Sequence, residues 1–236
     1  MLIIIKILAL HVVETVKVAK DAQVIATVNA ESKDLLLNLE FNEFELELKK
    51  YAKEFNVPII QDAGLALLEE VIALLKPKNI LEIGTAIGYS ALRMNKVCNS
   101  NVYTIERNQD MYNKAIENIT KASKNDSIHI IFKDALEAYS EVSNVKFDLI
   151  FIDAAKAQYK KFFDIYSPLL NDGGAIVCDN MLFHGLVESD DYMNQSRSVR
   201  GLIRKLKAFH EDLLNNKDYK TSLFDIGDGI SISVKK

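Results

Sequence analysis

Between Ile80 and Cys178 short apolar runs alternate with longer amphipathic stretches, and that alternation limits the chain to very few folds. The runs are Ile80–Ile83, Val102–Ile105, Ile128–Phe132, Phe147–Ile152 and Ala175–Cys178. Mostly apolar on both faces, they read as strands covered from above and below. The stretches between them have helical spacing: from Ser90 to about Val97, Asp110 to Ala122, a short piece from about Asp134, and Gln158 to Leu170. Strand and helix in strict alternation require a parallel sheet with right-handed crossovers and helices on both faces.

The ends of the chain depart from this rhythm. Ser196 to about Leu214 has helical periodicity, and Tyr219–Ile226 and Ile230–Val234 flank Gly227-Asp228-Gly229 as a hairpin would. The expected fold is therefore α/β, a mostly parallel sheet of about seven strands closed by a C-terminal antiparallel hairpin. Upstream, Glu31 to Phe55 predicts one helix with Leu35, Leu36, Leu39, Phe44, Leu48, Tyr51 and Phe55 on its apolar face. Pro58 ends it, and Asp62 reads as the cap of a second helix reaching Leu75. Met1 to Ala30 is strongly apolar, but Lys6, His11, Glu14 and Lys17 interrupt it before a membrane span is reached, and no small-residue cleavage site follows.

Nothing between the segments has linker composition, and 236 residues at 49% hydrophobic content suffice for a full core. We read residues 31–236 as one domain and residues 1–30 as an extension of unknown role. Cys98 and Cys178 are the only cysteines. Two thiols so far apart suit a reducing, cytoplasmic setting, and with four scattered histidines they argue against zinc. A net charge of −4 with mixed signs neither requires nor excludes a nucleic-acid partner.

Chemistry concentrates where strands end. After the first strand, Gly84-Thr85-Ala86-Ile87-Gly88-Tyr89-Ser90 gives a sharp turn and a helix start, suited to close approach by a ligand. Acids stand at successive strand ends: Glu82, Glu106, Asp134, Asp153 and Asp179. Ligands of such sheets bind beyond that edge. Glu106 has the position of a carboxylate that takes a ribose diol, with a helix-start acid as the equal alternative. Asp134 could hold an adenine amino group or cap the next helix. Asp153, Asp179 and Asn180 offer hard oxygen donors, matching magnesium or calcium better than zinc. Lys156, one turn after Asp153, could reach the same cleft as a base. Arg197, Arg200 and Arg204 share a face of the late helix, ordinarily a solvated face and here the only obvious receiver of phosphates. A nicotinamide dehydrogenase on the same sheet would want GxGxxG, which is absent.

Glu82-Ile83-Gly84-Thr85-Ala86-Ile87-Gly88-Tyr89-Ser90, Tyr103 to Asn108, Phe151-Ile152-Asp153-Ala154-Ala155-Lys156 and Asp179-Asn180 together resemble the cation-dependent class I S-adenosylmethionine O-methyltransferases, the catechol and caffeoyl-CoA group with its Rossmann-like fold. Within it, Asn56 to Ile60, Asp179 to Val187 and the ending through Gly229 look most like bacterial tRNA 5-hydroxyuridine methyltransferases. The resemblance implies that Glu82, Gly84, Thr85 and Ser90, with the Ile60 backbone, hold the methionine part of S-adenosylmethionine. It gives Glu106 the ribose and Asp134 with Ala135 the adenine. Asp153, Asp179 and Asn180 would bind magnesium, with calcium or manganese as substitutes, and Asp153 and Lys156 would serve catalysis. It further implies a homodimer and, as acceptor, either tRNA received at Arg197, Arg200 and Arg204 or a small phenolic molecule. Met1 to Ala30 does not match.

Overall fold

The computed structural model describes residues 39–236, so the expectations for residues 1–38, including the apolar extension, lie outside the described residues. A seven-stranded sheet in the order β3-β2-β1-β4-β5-β7-β6 forms the centre. Its strands are β1 (Asn79–Ile83), β2 (Asn101–Glu106), β3 (Ile128–Phe132), β4 (Phe147–Ile152), β5 (Leu170–Cys178), β6 (Tyr219–Phe224) and β7 (Ile230–Lys235). The first five are parallel, β7 pairs antiparallel with both β5 and β6, and β6 is an outer edge. Because the order reverses between β1 and β4, a crevice opens above their C-terminal ends.

The helices are α1 (Glu43–Glu54), α2 (Asp62–Leu75), α3 (Tyr89–Cys98), α4 (Gln109–Lys121), α5 (Tyr139–Val142), α6 (Tyr159–Tyr166) and α7 (Arg197–Asn215). Strand side chains alternate between two cores. Ile80, Leu149, Phe151 and Val177 pack with the α1 to α4 face, whereas Leu81, Ile83, Ile150 and Ile152 pack with α6 and α7. Buried Arg93 fastens the first of these layers, bonding Glu45 of α1 at 2.9 Å and Glu69 of α2 at 2.7 Å.

Three expectations need correction. Of the helix predicted over 31–55, the described part has no helix at residues 39–42 and starts at Glu43, because Asn42 and Glu45 form a capping box that sets the N-terminus of α1, and Phe55 is 58% exposed past its end. Gln61 occupies the cap position of α2 without a side-chain bond, while Asp62, inside the first turn, pairs with Lys49 at 2.6 Å. The piece expected from Asp134 is a turn, and α5 begins only at Tyr139. No helix among the described residues is long and apolar enough to cross a membrane.

Candidate active site

A cleft of about 540 Å³ lies over the crevice, within the range of small-molecule sites. Ile60, Gly84, Thr85, Ser90, Glu106 and Asp134 line one part of it; Asp153, Lys156, Asp179 and Asn180 line another. The structure thus gathers acids separated by 97 positions, from Glu82 to Asp179, along one sheet edge. Gly84, at φ +103°, crosses so close to the Asp153 carbonyl that a Cβ there would collide with it.

On the β1 and β2 side the carboxylates are largely engaged by the protein. Glu106 accepts three backbone amides: Ala86 at 2.9 Å on Oε2, and Arg107 at 2.9 Å and Asn108 at 2.7 Å on Oε1. It therefore pins the glycine turn to the end of β2, and one lone-pair position remains on Oε2. Asp134 accepts the Leu136 amide at 2.9 Å and pairs with Arg107 at 3.1 Å, and the amide foremost, then Arg107, holds its carboxyl below the usual carboxylate range. Asp134 thus lines the cleft and ties the turn that follows, and it caps no helix, since α5 begins only at Tyr139.

Glu82 differs. Its side chain is fully buried, and Oε2 accepts the Thr104 hydroxyl at 2.5 Å. Oε1 has no hydrogen-bond partner among the described residues. Burial pushes its carboxyl up to about 8, against the pull of the Ser90 and Thr104 hydroxyls. A buried carboxylate with one bare oxygen beside a cleft is matched to a cationic ligand group.

At the ends of β4 and β5 two carboxylates share a confined space. Asn180 Nδ2 donates to Asp153 Oδ1 at 3.2 Å, and the Asn180 amide donates to Asp179 Oδ1 at 2.7 Å. Desolvation raises both carboxyls, that of Asp179 to about 7, with Asp153 as the next contributor there. Lys156 opposes the shift at each, and among the described residues its ammonium makes no hydrogen bond. Asn180, Phe183 and His184 all have positive φ (60°, 47° and 56°), so the turn after β5 is held against the backbone's preference. The donor set of two carboxylates and an amide oxygen fits a hard divalent cation, whose charge would relieve the crowding of like charges.

Sequence reasoning missed three supports of this site. Tyr159 donates its buried hydroxyl to the Asp179 carbonyl at 2.9 Å. Thr104 and Thr85 share a 2.5 Å contact that carries the Glu82 contact outward. Asp228, read only as a hairpin turn, is buried against the Asp179 segment. On α7, Arg200 is turned back onto the Gln195 carbonyl at 2.9 Å, leaving Arg197 and Arg204 exposed and unpaired with any acid among the described residues. All three arginines lie outside the cleft lining.

A family model described as O-methyltransferase matches residues 27–236, so the chain belongs to the O-methyltransferase family, the S-adenosylmethionine-dependent enzymes of this fold. The caffeoyl-CoA O-methyltransferase of Populus kitakamiensis is 30% identical over 80% of this chain and 82% of its own length. The crystal structure of a candidate caffeoyl-CoA O-methyltransferase from Staphylococcus aureus is 40% identical, covers 83% of this chain and 93% of that one, and superposes with a TM-score of 0.79. The O-methyltransferase of Bacillus cereus in complex with SAH shares the fold at 24% identity, over 85% of this chain and 94% of that one, with a TM-score of 0.74.

Proposed function

We propose that this O-methyltransferase transfers the methyl group of S-adenosylmethionine to the 5-hydroxyl of 5-hydroxyuridine at the tRNA wobble position, with magnesium as its cation. What supports the reading is a buried, half-satisfied Glu82 at the end of β1, next to the Ile83 and Gly84 of the cleft lining, together with two crowded carboxylates in that lining. Glu82, Gly84, Thr85 and Ser90, with the Ile60 backbone, would hold the methionine part. Glu106 would take a ribose hydroxyl on its remaining lone-pair position, with Asp134 and Ala135 at the adenine. Asp153, Asp179 and Asn180 would hold the cation.

When bound, the cofactor supplies an electrophilic methyl group and the cation supplies charge that favours an ionised acceptor hydroxyl. The protein's own part is positioning and proton transfer. Lys156 would remove the hydroxyl proton in its neutral amine form, and Asp153, one turn before it, would hold the ammonium that results. The close approach of Gly84 to the Asp153 carbonyl holds the two halves together, which would keep acceptor and cofactor sites at a set separation.

The tRNA reading draws support from Arg197 and Arg204, exposed cations with no acidic partner among the described residues and outside the cleft where a small acceptor would lie. A second reading keeps the chemistry and takes a small vicinal phenol as acceptor, in keeping with the caffeoyl-CoA and flavonoid names of relatives. The test incubates the protein with methyl-labelled cofactor, magnesium and tRNA containing or lacking 5-hydroxyuridine, beside a caffeoyl or catechol acceptor. Label confined to the hydroxylated tRNA is the expected result; label only on the phenol would overturn the tRNA reading.

A further inference from the structure

The turn from Asn180 to His184 departs most from ordinary backbone geometry and directly follows Asp179. What holds it is the Gly227-Asp228-Gly229 turn of the C-terminal hairpin. The Met181 amide donates to the Gly229 carbonyl at 2.9 Å, and the Leu182 amide to the Asp228 carbonyl at 2.8 Å. The His184 amide donates to Asp228 Oδ1. Gly229 lies so close to Leu182 that a Cβ would collide with it. A side chain serving only as this clamp would need one acceptor oxygen, which an asparagine supplies equally well.

Asp228 has a second oxygen, and it is the informative one. The residue is 6% exposed, and Oδ2 is buried without a hydrogen-bond partner among the described residues. Leaving a carboxylate oxygen bare in the interior is costly unless a positive charge lies within reach, and among the described residues the basic group nearest this carboxylate is His184 Nδ1, 3.7 Å from Oδ1 on a largely exposed ring. The segment that its turn holds, Met181 to His184, begins directly after Asp179 and Asn180. Among the described residues no three His, Cys, Asp or Glu side chains converge on one point, so Asp228 does not join Asp153 and Asp179 as a third direct ligand.

We propose that Asp228 is a positioning residue of the cation site: one oxygen locks the turn that presents Asp179 and Asn180, and the other adds a negative charge just beyond the direct ligands. This rests on the cation reading of Asp153, Asp179 and Asn180. Outer carboxylates of this kind commonly change metal affinity by about 10- to 100-fold.

The test is Mn²⁺ binding to the full-length protein, followed by the electron paramagnetic resonance of free Mn²⁺, with SAH affinity and thermal melting measured alongside. Asp228→Asn keeps an acceptor for the His184 amide and removes the charge; Asp228→Ser removes the charge with a smaller side chain should the first variant fold poorly. Weaker Mn²⁺ binding by about tenfold or more, with SAH affinity within about twofold of wild type, is expected of the variant that folds. Wild-type Mn²⁺ affinity in that variant would overturn the role of Asp228. Asp179→Ala separates the two claims: if it abolishes Mn²⁺ binding while Asp228 variants bind normally, only the present inference fails. If Asp179→Ala binds Mn²⁺ like wild type, the cation reading itself fails and takes this one with it.

Discussion

The two halves of the cleft solve the problem of acids at strand ends in opposite ways. Above β1 and β2, Glu106 and Asp134 are saturated or nearly so by backbone amides and Arg107, and the loops they tie are finished structures. Above β4 and β5, Asp153 and Asp179 have few donors and face each other, with burial raising both. The first half is a seat built before its occupant arrives. The second leaves two carboxylates crowded together, which the proposed cation would relieve. Glu82 belongs by position to the first half and by its bare oxygen to the second, which marks where a cationic group of the cofactor would lie.

The strongest break in this comparison is Asp179→Ala, expected to lower turnover on the order of 10³-fold while SAH affinity, measured by calorimetry, stays near wild type. Equal losses in both would mean that the halves are not separable. Next is Gly84→Ala. With φ at +103° and the Asp153 carbonyl in the way, a methyl group there should damage both halves together, seen as lower melting temperature and lost SAH binding.

Glu82→Gln should divide stability from binding. An acid whose folded pKa is raised contributes stability that is present below its unfolded value and lost as pH climbs toward the folded one. For Glu82 that window runs from 4.5 to about 8, where each unit of pH removes about 1.4 kcal/mol per such group. The cofactor-free variant should therefore melt higher than wild type at pH 8 and lose that advantage at pH 4.5. Its SAH affinity should fall by roughly 10- to 100-fold, the worth of one charged hydrogen bond. A gentler effect is expected of the cation: because the Asp179 carboxyl sits near 7 without it, Mg²⁺ affinity should rise as pH passes from 6 to 8, measured by titration calorimetry.

What could be read from the sequence divides along the same line. Strand identity was plain because Ile80–Ile83, Phe147–Ile152 and their neighbours are apolar on both faces, and the clustering of Asp153, Asp179 and Asn180 was plain because they end adjacent strands. Properties that depend on which partner a side chain finds were hidden. Glu106 spends three contacts on backbone amides that no residue pattern encodes. Arg200 folds back to a loop carbonyl instead of facing solvent with Arg197 and Arg204. Asp228 looked like any turn residue between glycines, since its value comes from a segment 44 positions earlier. Asn42 lay inside an unbroken helical pattern, yet with Glu45 it forms the capping box at which α1 begins.

The most direct measurement of the two-halves account is the rate of methyl transfer to 5-hydroxyuridine tRNA as Mg²⁺ is returned to EDTA-treated protein, over a range of S-adenosylmethionine concentrations. The account predicts a rate that rises from background to saturation with Mg²⁺ while KM for S-adenosylmethionine stays constant. A rate indifferent to Mg²⁺, or a KM for the cofactor that climbs as the cation is withdrawn, would contradict it.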